Sequence, residues 1–398
     1  MSAKRQKVEF TNKDGVKLSG VLEAPVEAPR AYALFAHCFT CSKDIPAASR
    51  ICQTLAAKGI ATLRFDFAGI GKSEGAFEDT NFSSNVEDLA SAADFMRDQY
   101  EAPSIIIGHS LGGAAVLWAA HKVPEAKAIV TIAAPSTPDH VRHHFEKHED
   151  EINAEGQADV LLGGRPFVVK KHFIDDIEAQ HEEQDKMIGS LRKALLVFHS
   201  PMDDTVSINQ AAIIYGAAKH PKSFISLEKA DHLLTSREDA QYVADAIVAW
   251  VTRYLPEVIT AGGHQSDAAA GEVLIVERNK AFTREVITQG HNWVADEPVD
   301  AGGANLGPNP FDMLLASLGS CTSMTIRMYA NLKDIPLDAV RVKLKHERTD
   351  DGASKIERSI ELEGDLSDGQ KQKMLEIAER TPVTRALKGE ADISTVLA

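Results

Sequence analysis

The sequence predicts a doubly wound, mostly parallel α/β domain followed by a smaller α+β domain. The apolar runs "YALFAH", "IATLRFDF", "SIIIGHS", "KAIVTIAA" and "ALLVFHS" alternate with helical stretches over residues 1 to about 255. They are apolar nearly throughout, not at alternate positions, which suits strands covered by helices on both faces, as in a parallel sheet. After Pro256 the texture changes. "TAGGHQSDAAAGE" is small, polar and Gly/Ala-rich and reads as a linker over 256–270. Beyond it, over 271–398, strands and helices come in blocks, the pattern of a separate α+β domain.

In the first domain, "SSNVEDLASAADFMRDQ" and "SREDAQYVADAIVAWVTRYL" have helical periodicity. The second is expected to start at Ser236 as N-cap, with Asp239 in its first turn. In the second domain, a long apolar helix is expected near 308–331, then the alternating strands "AVRVKLKHE" and "SKIERSIELEG", then a helix opened by a capping box of Ser367 and Gln370.

Bulk properties exclude several functions. A chain of 398 residues with 44% apolar content suits two or three domains with real cores. A net charge of -15 argues against nucleic-acid or anionic-membrane binding. The sequence contains no 18-residue apolar run, so no membrane span is expected. "MSAKRQKVEF" has no apolar stretch behind it, so no secretory signal is read. Four cysteines do not make a disulfide framework in a chain this long, which fits a reducing cytoplasm. No cofactor is implied, and no metal site is assigned.

"GHSLGG", Gly108 to Gly113, follows the strand "SIII" and precedes the helical "AAVLWAAHK". This is Gly-x-Ser-x-Gly in the strand–turn–helix setting that presents a nucleophilic serine, Ser110. A serine needs a base, and the base an orienting carboxylate, each expected after a late strand. "ALLVFHSPMDDTV" supplies an Asp pair and "SFISLEKADHLLTS" supplies His232. This arrangement resembles the α/β-hydrolase superfamily. The late-strand register of that superfamily, with His199 before and Val206 after, assigns the catalytic carboxylate to Asp203 and not Asp204. "RFDFAGIGKSEG" resembles the superfamily's Asp-x-x-Gly-x-Gly-x-Ser loop and gives Asp66 a structural role.

"LFAHCFTCSKD" contains Cys38-x-x-Cys41 directly after His37. The resemblance implies an oxyanion loop here, with Cys38 in the position of a usual glycine. Phe39 and Leu111 are then the two backbone N–H donors. This reading is preferred over a redox pair, because the stretch lacks the thioredoxin-like βαβ setting, and over zinc, because no second Cys-x-x-Cys exists and Cys52 and Cys321 stand alone. The Cys38 side chain is expected to narrow the loop and restrict acyl size. A lid insertion is expected at about 138–190, with a hairpin in "ADVLLGGRPFVVKKHF". His140, His144 and His148 step by four and would share one face of a solvated lid helix.

"GPNPFDMLLASLGSCTSMTIRMYA", with "DEPVDAGGANLGPNP" before it and "LEIAERTPVTRAL" later, closely resembles the OsmC family of osmotically inducible and hydroperoxide resistance proteins. Members are intertwined α+β homodimers, many of them thiol peroxidases with two cysteines. Here Cys321 matches the first cysteine, but Thr381 stands at the second. Phe311, with Asp312 beside it, stands where the activating Glu would be, and Arg278 and Arg284 are the candidates for the activating Arg. A resolving thiol is missing from this domain, which disfavours dithiol turnover.

The leading expectation is a cytoplasmic serine esterase for short to medium acyl esters, homodimeric through an OsmC-like domain that serves dimerisation or ligand binding. The alternatives are a bifunctional hydrolase and hydroperoxide reductase using Cys321, and a dimeric binding module with a vestigial hydrolase half.

Overall fold

The computed structural model describes residues 4–25, 29–38, 41–162, 164–181, 184–255, 268–279, 281–349 and 352–397. Phe39 and most of the expected linker lie outside the described residues. The chain forms two compact units, residues 1–294 with 299–307, and residues 295–298 with 308–398.

The first unit is built on an eight-stranded sheet. In chain order its strands are β1 (Lys4–Thr11), β2 (Lys17–Ala24), β3 (Ala31–Ala36), β4 (Ile60–Phe65), β5 (Ile105–His109), β6 (Ala128–Ile132), then, after a lid hairpin of β7 (Gln157–Leu162) and β8 (Arg165–Lys170), β9 (Ala194–His199) and β10 (Lys222–Ser226). The spatial order is β1-β2-β4-β3-β5-β6-β9-β10. The β1/β2 hairpin is antiparallel and joins β4 antiparallel; from β4 through β3 to β10 every pairing is parallel.

The apolar strands divide their residues between two cores, as a period of two requires. On β3, Tyr32, Leu34 and Ala36 enter one core while Ala31, Ala33 and Phe35 enter the other. The helices follow the same division. α1 (Pro46–Ala57) and α8 (Arg237–Val251) supply one core, and α2 (Phe82–Gln99), α3 (Leu111–Ala119) and α7 (Ile208–Ala217) the other. Ser236 caps α8 by accepting from the amides of Glu238 and Asp239, as its sequence predicts.

Between β6 and β9 the chain runs through two 3-10 turns, α4 (Glu149–Glu155), the β7/β8 hairpin, α5 (Lys171–His181) and α6 (Gln184–Gly189). The histidine segment differs from its expectation. It is not one α-helix but a 3-10 helix, Pro138–His144, then a second short turn, Glu146–His148, broken at Phe145 with φ −133° and ψ 13°. Phe145 is buried and Val141 is buried one turn before it, so the break follows packing of those side chains. His140, His143 and His144 therefore cluster, with neighbouring rings 4.6 and 3.8 Å apart, and His148 falls on a different turn.

A three-stranded sheet of β11 (Val273–Glu277), β12 (Arg284–Thr288) and β13 (His291–Ala295) lies almost wholly in the first unit. Val294, Ala304 and Leu306 enter that unit's core. The compact division thus falls later in the chain than the change of sequence texture.

The second unit centres on α9 (Pro310–Leu332), the antiparallel strands β14 (Leu337–Arg348) and β15 (Ser354–Gly364), and α10 (Asp368–Ala378). Ile326, Ala330, Leu337, Leu366, Met374 and Ala378 form its small core. The capping box of Ser367 and Gln370 is present in full.

Candidate active site

The turn between β5 and α3 forces one residue into an unfavourable backbone. Ser110 has φ 55° and ψ −127°, a conformation that costs about 1–3 kcal/mol and persists only when its surroundings impose it. Crowding imposes it here. A Cβ on Gly108 would collide with the carbonyl of Gly112, and a Cβ on Gly112 would collide with the carbonyl of His37. The two glycines let strand, helix and the 37–38 segment meet at one point, and Ser110 is left projecting at the carboxyl end of the sheet.

The structure brings three of the sequence-assigned side chains together. His232 Nε2 lies 3.0 Å from Ser110 Oγ and accepts its hydroxyl hydrogen; His232 Nδ1 donates to Asp203 Oδ2 at 2.8 Å. The other Asp203 oxygen accepts from the amides of Thr205 and Val206 at 2.9 and 2.8 Å. Burial acts to raise the Asp203 pKa, but the His232 contact and the two amides outweigh it and hold the carboxyl below its ordinary value. Asp204 points elsewhere and accepts only the Thr205 hydroxyl at an exposed position.

Three further histidines, His109 and His199 buried and His140 half-buried, hold the loops around this trio. His109 Nε2 donates to the carbonyl of His232 at 2.7 Å, and His199 Nε2 donates to the carbonyl of Val206 at 2.7 Å. His140 Nε2 donates to the carbonyl of Thr205 at 2.9 Å. The turn that carries Asp203 is therefore gripped at two consecutive carbonyls. Burial lowers the pKa of all three, that of His109 to about 4, so they act as neutral donors. The signal for His109 was its place beside Ser110; the sequence marks His140 only as one of the lid histidines, and its spacing does not point to this contact.

On the oxyanion side, Ser110 N–H is spent on the carbonyl of Ile132, 2.9 Å away. Leu111 is the first residue of α3, where a helix leaves its amides without intrahelical partners. The second assigned donor, Phe39, lies outside the described residues. Asp66 plays the structural part expected of it. It accepts from Lys43 N at 2.7 Å, Lys43 Nζ at 2.5 Å and Lys72 N at 2.9 Å. Cys38 and Cys41, read from the sequence as loop residues and not as a redox pair, are joined by a disulfide with Cα atoms 5.4 Å apart. A small apolar cavity behind the loop is lined by Cys38, Phe67, Ile70, Phe77, Leu111 and Ala115, among others.

Comparison with known proteins follows this geometry. Residues 28–148 match the family model of S33 serine aminopeptidases, and residues 302–396 match that of OsmC-like proteins. The esterase domain of a Rhodothermus marinus protein is 44% identical, with a TM-score of 0.53, over 64% of this chain and the whole of that one. The chain belongs to the α/β-hydrolase superfamily and carries an OsmC-like domain. The chain is also 34% identical over 113 residues to the mitochondrial palmitoyl-protein thioesterase ABHD10 of Rattus norvegicus. It spans about a third of the length of that curated relative, the match covering 28% of this chain and 36% of the relative. The mouse protein of that name shares the fold, with 20% identity and a TM-score of 0.52 over 62% of this chain and 99% of its own. Among the described residues no helix is long and apolar enough to cross a membrane.

In the OsmC-like unit, Cys321 is a half-buried free thiol on α9. Thr381, at the place of the family's second cysteine, is buried and caps the short helix Pro382–Arg385. Phe311 stacks on His346 with ring centroids 4.0 Å apart. In the first unit, not this one, Arg278 lies within 3.4 Å of Glu285, and Arg284 donates to the carbonyls of Ala281 and Thr283. No group of side chains suited to a metal ion occurs among the described residues.

Proposed function

We propose that this hydrolase cleaves carboxylic esters of short to medium acyl chains through an acyl-enzyme on Ser110. The observation that carries the reading is the unbroken chain of hydrogen bonds from Ser110 Oγ through His232 to Asp203, at 3.0 and 2.8 Å. His232 takes the hydroxyl proton as Oγ attacks the ester carbonyl, and returns it to the leaving alcohol as the tetrahedral intermediate collapses. Asp203 holds the Nδ1–H tautomer and stabilises the imidazolium. The amides of Leu111 and Phe39 receive the oxyanion, each typically worth ~3 kcal/mol. Water, activated by the same imidazole, then releases the acid.

The likeness to an esterase domain and to a thioesterase supports acyl transfer. Thioesters are the second substrate class to assay, on the strength of the rat relative.

The OsmC-like domain serves chiefly to pair two copies of the chain. Cys321 has no second cysteine to resolve it in this unit, which weighs against dithiol peroxidase turnover. The functional division is a hydrolase domain over residues 1–255 with a lid at 138–190, a linker over 256–270 and the OsmC-like domain over 271–398, in a chain that works in the cytoplasm. The decisive experiment is Ser110→Ala assayed with p-nitrophenyl acetate and a fluorophosphonate probe. Loss of both turnover and labelling is expected; retained turnover removes the triad.

A further inference from the structure

The bridge between Cys38 and Cys41 has no part in the acyl-transfer chemistry, yet Cys38 lines a cavity with Leu111 and Gly112, the two residues after Ser110. Cys38 is almost fully buried, while Cys41 is half-exposed. Phe39, the sequence-assigned oxyanion donor, stands between the two cysteines in the chain.

Both flanks of the bridge are pinned. On one side the carbonyl of His37 abuts Gly112, and His37 Nδ1 donates to the Cys38 carbonyl at 2.8 Å. On the other, Lys43 is buried and fixed through its amide and ammonium to Asp66, and its carbonyl accepts from Arg64 Nε at 2.9 Å. Arg64 in turn is held by Glu23 at 2.8 Å. The Cys41 amide donates to the Cys38 carbonyl at 3.2 Å, so the two cysteines are tied by backbone as well as by the bridge.

We propose that Cys38 and Cys41 form a thiol–disulfide exchange site for a dithiol reductant, and that the bridged state is the one in which Ser110 turns over fastest. This rests on the hydrolase reading above. Access sets the order of events. The thiolate of the dithiol attacks Cys41 Sγ, the half-exposed sulfur. The Cys38–Cys41 bond breaks, Cys38 leaves as thiolate and takes a proton, and a mixed disulfide remains on Cys41. The second thiol of the reductant attacks its own sulfur in that mixed disulfide, releasing Cys41 and closing the reductant's disulfide. Two electrons pass to the protein; one disulfide is lost and one is made. Cys52 does not compete, because burial raises its thiol pKa to about 12 and keeps it protonated.

The test uses the full chain purified without reductant, before and after dithiothreitol. Alkylation with mass mapping reads the bridge, while p-nitrophenyl acetate turnover and the rate of fluorophosphonate labelling read Ser110. The expected result is that Cys38 and Cys41 resist alkylation until dithiothreitol is added. Both Ser110 readouts then fall at least threefold, diamide restores them, and Cys41→Ser sits at the reduced level and ignores reductant. An opened bridge with unchanged turnover and labelling overturns this inference alone, as does finding both thiols free in the unreduced protein. A chain that neither hydrolyses the ester nor takes the probe in either state overturns the hydrolase reading, and this inference falls with it.

Discussion

His109 donates its Nε2 hydrogen to the backbone carbonyl of His232 across 2.7 Å, so the residue before Ser110 holds the backbone of the proposed base. Their rings lie 5.3 Å apart, and burial lowers the His109 pKa to about 4. A neutral donor at this place fixes the loop without adding positive charge beside the His232 imidazole.

His109→Ala removes that donor and leaves the His232 carbonyl without it. One such hydrogen bond is worth about 1 kcal/mol net, and an unsatisfied buried partner costs somewhat more. The expected outcome is a fall in kcat of about tenfold with KM within about twofold, since a tenfold rate loss corresponds to ~1.4 kcal/mol. His109→Gln, which can still donate, recovers part of the loss. Steady-state kinetics on p-nitrophenyl acetate separate this from a general loss of fold, which would lower the active fraction by probe titration instead.

The neighbouring carboxylates Asp203 and Asp204 give a sharper contrast. Asp203 touches His232, whereas Asp204 meets only an exposed hydroxyl. Asp203→Asn keeps the shape but loses the charge and the tautomer control, so kcat drops by ~10³-fold or more. Asp204→Asn stays near wild type. Equal effects of the two substitutions on turnover would show that the assigned register is wrong.

Much of this site was legible because its chemistry leaves local marks. Gly108 and Gly112 flank Ser110 because backbones meet there, and Asp203 and His232 follow apolar strands whose runs end at the sheet's carboxyl edge. What sequence spacing could not carry were contacts set by loops. The β1 strand, "KRQKVEFT", is charged along its exposed residues and does not read as a sheet edge, although it pairs in full register with β2. His140 meets Thr205 from a lid segment that coils as a 3-10 helix and not as the expected α-helix. Cys38 and Cys41 have a spacing that suits a loop, a metal site and a bridge alike; the separation of their Cα atoms, 5.4 Å, follows from the turn and not from the spelling.

The buried histidines also set the acid stability. His37, His109 and His199 are all buried and have pKa values lowered chiefly by burial. In the unfolded chain they titrate near ~6.5. Below that pH the unfolded state binds protons that the folded state refuses, so stability is full above it and falls as pH drops toward the folded values. The His109 shift alone amounts to roughly 3 kcal/mol by the time pH reaches about 4. Asp203 acts in the same direction but in a more acidic window. Its lowered pKa adds stability above the unfolded carboxyl value near ~3.9, so its contribution is lost only below that. Urea midpoints at pH 7.5, 6 and 5 are expected to fall steadily. A midpoint unchanged down to pH 5 would contradict neutral, buried imidazoles.

Gly112→Ala tests the crowding that strains the nucleophile. The added methyl group would meet the carbonyl of His37, which is backbone and cannot swing aside as a side chain can. Overpacking of this kind costs typically 1–3 kcal/mol, and here it also pushes the 37–38 segment away from Leu111. Lower urea stability and a loss of turnover are expected together. The same substitution at Gly216, where a Cβ has open space, should change neither.

The second unit supplies the last prediction. Met324, Met328 and Leu332 step by four along α9 and are 65%, 69% and 77% exposed in the single chain. Such a stripe on a long helix asks for an apolar partner, and burying a Met or Leu side chain is worth about 1.5–3 kcal/mol. A second copy of the chain is the proposed cover. Met328→Lys places a charge in the middle of the stripe and is expected to convert a dimer to a monomer by light scattering. Ser110, His232 and Asp203 all come from one chain, so ester turnover per chain should survive the change. A wild type that scatters as a monomer, or a dimer unaffected by the lysine, contradicts the pairing through α9. Turnover lost together with the dimer would mean that the hydrolase site needs its partner, which the single-chain triad does not require.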